Sequence, residues 1–106
     1  LMARVFANAS DAELIRSLRA GQNEALKILY ERYSGLVYTL ALKMLHQPSE
    51  AEDLTQDVFL NFWQKEQFDP DRATLSTYLC VMARSRAINK LRSRSSQQRS
   101  LERLQH

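Results

Sequence analysis

Between Leu26 and Met44, the residues Leu26, Leu29, Tyr30, Tyr33, Val37, Leu40, Ala41 and Met44 recur at steps of three and four, with no proline in the interval. That spacing puts all of them on one side of a helix about five turns long. An apolar stripe of that length has to be covered by other parts of the same chain. The rest of the sequence is equally suited to helix. Sixteen leucines and eleven alanines stand against four valines and three isoleucines, and there are two glycines and two prolines in 106 residues. Straight-chain and unbranched residues favour helix, whereas a sheet would call for β-branched ones. The expected fold class is all-α, a compact bundle of about four helices.

Three further helices complete that count. Ser10 with Glu13 forms a capping box ahead of Leu14, Ile15 and Leu18, and Gly21 ends this short helix. Asn23 is the predicted cap of the long helix, which should stop near His46, before Pro48. Ser49 with Glu52 reads as a second capping box, opening a helix whose inner stripe is Leu54, Val58, Phe59 and Phe62. The segment Gln67-Phe68-Asp69-Pro70-Asp71-Arg72-Ala73 breaks the periodicity and reads as a loop. Thr74 or Ser76 then starts a fourth helix with Leu75, Tyr78, Leu79, Met82, Ala83, Ile88 and Leu91 inward. Beyond Arg92 the apolar pattern fades into Ser-Arg-Ser-Ser-Gln-Gln-Arg-Ser, expected as a frayed end or linker.

With 44% apolar and 25% charged residues, the composition is that of one globular domain. Residues 1–94 are assigned to it, with 1–9 expected to be disordered or left over from cloning. Cys80 is the one cysteine, so no internal disulfide forms, and it reads as a small packing residue. His46 and His106 stand far apart, outside any ligand-spaced cluster, and no metal or other cofactor is expected. The acids lack a nearby catalytic His, Ser or Gly-rich phosphate loop, so no enzymatic activity and no small-molecule substrate are expected. The most apolar stretch, Leu36 to Leu45, is interrupted by Thr39 and Lys43 and is too short for a membrane span. With no secretory signal in view, the expected compartment is the cytoplasm.

The net charge of +3 is segregated. Residues 1–49 carry +2, residues 50–71 carry −6, and residues 72–106 carry +7. An acidic middle followed by a basic third suggests two surfaces with different partners, the second a polyanion; two solvated helix faces would give the same count. On the third helix, Asp53, Gln56, Asp57, Asn61 and Gln64 fall opposite the apolar stripe as one polar strip. Trp63 is read as core, beside Phe59 and Phe62, or else as an anchor next to that strip. Tyr30, Tyr33, Tyr38, Phe59, Phe62 and Tyr78 are read as core or core margin. Phe68, in a polar loop, is either a plug on the core or a ring that contacts a base.

The segment Ala51-Glu52-Asp53-Leu54-Thr55-Gln56-Asp57-Val58-Phe59 resembles the polymerase-binding helix of bacterial sigma factors. Ala9 to Ile15, Gly21 to Leu26 and Leu29-Tyr30-Glu31-Arg32-Tyr33 are similar to the opening of the extracytoplasmic-function group of the sigma-70 family. Phe68 to Ala73 and Thr77 to Arg84 are similar to its promoter-melting segment. The resemblance covers roughly residues 10–95 and implies a region 2 domain of a transcription initiation factor. It implies that Asp53, Gln56, Asp57 and Asn61 meet the clamp coiled coil of the largest subunit of core RNA polymerase. It implies further that Phe68, Asp69, Arg72, Thr74, Ser85 and Asn89 take the non-template strand of the promoter −10 element. Arg84, Arg86, Lys90, Arg92 and Arg94 would supply phosphate contacts, three of the five being expected to matter. An anti-sigma factor masking these surfaces is a further implied partner.

Two departures stand out. Arg84-Ser85 replaces the Arg-Asn common among relatives, and Asn89-Lys90 replaces the usual acid after Ala-Ile, so base preference does not transfer. Nothing after Arg94 can build the second, helix-turn-helix domain of the family, so the chain is expected to be an N-terminal domain, with 95–106 as the start of the linker. The competing readings are a stand-alone basic helical module that binds nucleic acid non-specifically and an acidic-strip adaptor with no nucleic-acid role.

Overall fold

Ser10 opens the first helix, α1 (Asp11–Arg19), because its hydroxyl accepts the Glu13 backbone N–H at 3.1 Å. The computed structural model describes residues 8–65 and 67–105; residues 1–7 of the expected N-terminal tail lie outside the described residues. Helix α1 closes at Gly21, whose φ of 87° is open to glycine and strained for other residues. The Gln22 N–H reaches Ser17 O at 2.9 Å and the Gly21 N–H reaches Leu18 O at 3.0 Å, the two bonds of a Schellman end.

Helix α2 (Glu24–Leu45) carries the long apolar stripe and ends at His46, which is left-handed at φ 61° and donates its N–H to Leu42 O at 2.9 Å. Asn23 precedes α2, but its side chain does not cap it. Its own φ of −66° and ψ of −17° are helical, not the extended geometry in which a side chain folds back onto the first turn. The Asn23 Oδ1 accepts the Trp63 indole N–H at 3.3 Å instead.

Helix α3 (Pro48–Gln64) starts two residues earlier than the Ser49–Glu52 capping box requires. Proline has the helical φ built in and lacks only an N–H that the first turn would leave unpaired, so Pro48 takes the first helical position. Ser49 and Glu52 then lie inside the helix, exposed.

Helix α4 (Leu75–Gln105) is capped by Thr74, whose hydroxyl accepts the Thr77 N–H at 3.3 Å. The segment expected to fray beyond Arg92 stays helical to Gln105, with every residue from Ser95 to Gln105 exposed. The apolar stripe ends there, but no Gly or Pro follows to break the backbone.

The core gathers along α2, which packs on the other three helices, while α3 also packs on α4. Leu14, Ile15 and Leu18 of α1 and Leu29, Val37, Ala41 and Leu45 of α2 are buried. So are Ala51, Leu54, Val58, Phe59 and Phe62 of α3 and Leu75, Leu79, Ala83 and Ala87 of α4. Phe62 meets Tyr78 edge-on with ring centroids 6.1 Å apart, and Tyr30 meets Phe59 at 5.0 Å. Thr55, the buried polar residue of the core, satisfies its hydroxyl on Ala51 O at 2.7 Å.

Leu91, expected on the inner face, is exposed. At that level α4 has reached the α2–α3 junction, where Arg94 donates to Leu45 O at 3.4 Å and pairs with Glu50. The other end of the bundle is tied by Asp11, which accepts Arg32 Nη1 at 3.1 Å and the Tyr33 hydroxyl. Burial, followed by this bond to a carboxylate, pushes the Tyr33 phenol up to about 12.

Candidate functional site

The inner stripe of α3 leaves its outer face to solvent. Asp53, Gln56 and Asp57 are exposed, Asn61 is half-buried and Gln64 is exposed, so the predicted strip lies on one accessible face. That face also carries two apolar residues, Leu60 at 48% and Trp63 at 41% exposure. Trp63 is therefore not core. Its indole N–H is tethered to Asn23, while a large part of the ring stays in water. The signal for both was present in the spacing, since positions 53, 56, 60 and 63 follow the same three- and four-residue steps. Gln56 and Leu60 continue into a groove between α2 and α3 that is lined also by Leu26, Tyr30 and Phe59. An acidic and amide strip flanked by exposed apolar side chains is suited to a cationic partner with an apolar anchor.

The second candidate surface begins in the loop before α4. Phe68 is 6% exposed and its ring packs on Tyr78 with centroids 5.3 Å apart, so it plugs the core edge. Asp69 shapes the turn that follows: its Oδ1 accepts the Asp71 N–H at 2.9 Å, its carbonyl accepts the Arg72 N–H at 3.1 Å, and its Oδ2 lies 3.8 Å from Arg72 Nε. Arg72 itself is well exposed. Thr74 is committed to capping, and its hydroxyl also donates to Thr77 Oγ1 at 2.9 Å.

The candidate residues of α4 divide among three places. Ser85, Arg86 and Asn89 line one cleft with Tyr78, Val81 and Met82. Phe68 of the loop packs on Tyr78, one of the residues that line this cleft. Arg86, Asn89 and Lys90 also line a crevice with Leu54 and Asp57 of α3, so the basic face and the acidic strip meet there. Arg84 faces the other way, into a groove with Leu36, Lys43, Thr77 and Val81. Arg92 is exposed. Arg94 does not belong with the phosphate-facing cations: its pairing with Glu50 and Leu45 O makes it a strut between α4 and the α2–α3 junction.

The sequence of this all-α domain, with its acidic strip beside a basic helix and a structured loop, can be compared with those of known proteins. Residues 29–97, well over half of the chain, match the sigma-70 region 2 family, and the chain belongs to that family. Its curated relatives are sigma factors of the extracytoplasmic-function group. Over 81 residues it is 30% identical to the ECF RNA polymerase sigma factor SigK of Mycobacterium sp., covering 76% of this chain and 42% of that protein. Over 81 residues it is 36% identical to the ECF RNA polymerase sigma factor RpoE of Cereibacter sphaeroides, covering 74% and 45%. The chain thus spans less than half the length of these relatives. No solved structure matches it.

Proposed function

We propose that this domain joins core RNA polymerase through the outer face of α3 and holds the promoter −10 element as single-stranded, non-template DNA along residues 68–74 and the outer face of α4. The observation that supports the reading most is the cleft of Tyr78, Met82, Ser85, Arg86 and Asn89, whose Tyr78 also packs on Phe68 of the loop. A flipped base enters the loop end, where backbone edges and Asp69 read its hydrogen-bonding groups, while Thr74 fixes the start of α4 beside them. Arg86, Lys90 and Arg92 track the phosphates that follow. Melting results from capture of the unstacked strand; no covalent bond is made or broken.

At the polymerase, Asp53 and Asp57 pair with cations of the clamp coiled coil and Gln56 supplies donor and acceptor in fixed register. Leu60 and Trp63 add an apolar anchor at the edge of that strip. Because Asp57 shares a crevice with Arg86 and Lys90, the two surfaces are contiguous, and a single inhibitory protein of the anti-sigma kind can cover both. The same reading places the domain in the bacterial cytoplasm; among the described residues no helix is long and apolar enough to cross a membrane.

The test has two arms. Asp53→Ala with Gln56→Ala should weaken binding to core polymerase by roughly tenfold while far-UV helicity is retained. A −10-like single strand should compete better than a random strand of equal length at equal salt. Native helicity with unchanged core affinity would defeat the α3 assignment. If affinity falls steeply with salt but ignores sequence, the domain is a non-specific basic module and the recognition half is lost.

A further inference from the structure

We infer that Arg19, at the C-terminal end of α1, is a positioning residue for the base-reading loop, an inference that rests on the assignment of residues 68–74 to DNA. The Arg19 Nη2 donates to the Phe68 backbone carbonyl at 2.9 Å, joining positions 49 residues apart. The Phe68 ring is meanwhile buried against Tyr78. Phe68 is thus held at both ends, by its ring on α4 and by its carbonyl on α1.

The turn beyond Phe68 takes its shape from short-range bonds, with Asp69 holding Asp71 and Arg72 and Thr74 capping α4. Such bonds set the internal form of a turn but not its orientation on the bundle. Orientation comes from long-range ties, and two of them, among the described residues, are at Phe68. One of these, the ring contact with Tyr78, falls on a residue that lines the cleft with Ser85, Arg86 and Asn89. Arg19 therefore sets the angle at which the loop meets that cleft, and so the register of a captured base against the phosphate track.

The chemistry suits the task. A guanidinium is always charged, presents several donors in a rigid plane, and makes a stronger bond to a carbonyl than a neutral donor does. Arg19 is exposed, so its contribution to the core is small. It also lies outside residues 29–97, the part of the chain that matches the sigma-70 region 2 family. In this chain α1 is thereby made part of the recognition surface.

The experiment compares the wild-type chain with Arg19→Ala and Arg19→Lys. Three quantities are measured: amide hydrogen exchange across residues 67–74, affinity for core polymerase, and the affinity ratio between a selected and a scrambled single strand. The selected strand is the one that the wild-type chain enriches from a random single-stranded pool. Arg19→Ala should speed exchange in the loop and lower the ratio roughly three- to tenfold, the size of one typical net hydrogen bond. Arg19→Lys should fall between, and core affinity and helicity should not change.

Unchanged loop exchange in Arg19→Ala overturns the inference outright. So does a looser loop with an unchanged affinity ratio, because the bond would then steady the loop without setting the register of a base. A wild-type chain that enriches no sequence removes the DNA assignment itself and the role of Arg19 with it. A wild type that selects, with an Arg19→Ala variant that selects equally well, removes the role of Arg19 alone.

Discussion

Trp63 is the one tryptophan of the chain, and replacing it separates docking from stability. At 41% exposure, a side chain of this size leaves on the order of 100 Å² in solvent. Complete coverage by a partner at about 25 cal/mol per Å² would contribute roughly 2.5 kcal/mol, or about 60-fold in Kd. Coverage of half the exposed area gives about eightfold. Trp63→Ala should therefore weaken core-polymerase affinity between those limits, measured by titration of labelled chain at concentrations where circular dichroism shows the variant folded. The control is Leu36→Ala, which removes an apolar side chain of similar exposure, 46%, from the α2–α4 groove. It should leave core affinity unchanged. Equal losses from both variants, or no loss from Trp63→Ala, would refute the idea that the outer face of α3 carries an apolar anchor.

Four further outcomes follow from single residues. Gly21→Ala should destabilise the domain by about 1 to 2 kcal/mol in urea unfolding; a Cβ there meets nothing within 4 Å, so the cost is that of the left-handed backbone alone. The Tyr33 phenol titrates above its usual value of 10 in the folded chain. Its contribution to stability is therefore complete below about pH 10 and declines as pH rises from there toward about 12, so Tyr33→Phe should flatten the loss of stability across that window. Arg92→Ala should reduce the salt slope of single-strand binding by about 0.7, the value of one phosphate contact. Arg94→Ala, removing a cation already paired with Glu50, should leave that slope unchanged while fraying α4 faster in hydrogen exchange.

Much of this was legible in local sequence. The Ser10 cap, the Gly21 stop, the His46 end and the inner stripe of α3 each depend on residues within a turn of one another, and each stands where the spacing put it. The capping box at Ser49 failed because a neighbouring residue, Pro48, fitted the first helical position better. Asn23 failed as a cap because a residue 40 positions away claimed its side chain, a competition that no local pattern records. Trp63 stays open between core and anchor in the sequence, because its neighbours Phe59 and Phe62 point inward while its step from Gln56 points to the outer face, where it lies. The grouping of Arg86 with Asp57, the strut from Arg94 to Glu50 and the bridge from Arg19 to Phe68 are tertiary, and appear only once the helices are assembled.

The central claim is that one small bundle carries two contiguous but distinct faces, α3 for polymerase and the loop with α4 for the melted strand. Hydrogen exchange of the chain alone, with core polymerase, and with a single-stranded −10 oligonucleotide tests it most directly. Core polymerase should slow exchange across residues 53–64 and the DNA should slow residues 67–74 and 84–92, each largely sparing the other set. Protection of the same residues by both partners, or protection of α3 by DNA alone, would contradict the account.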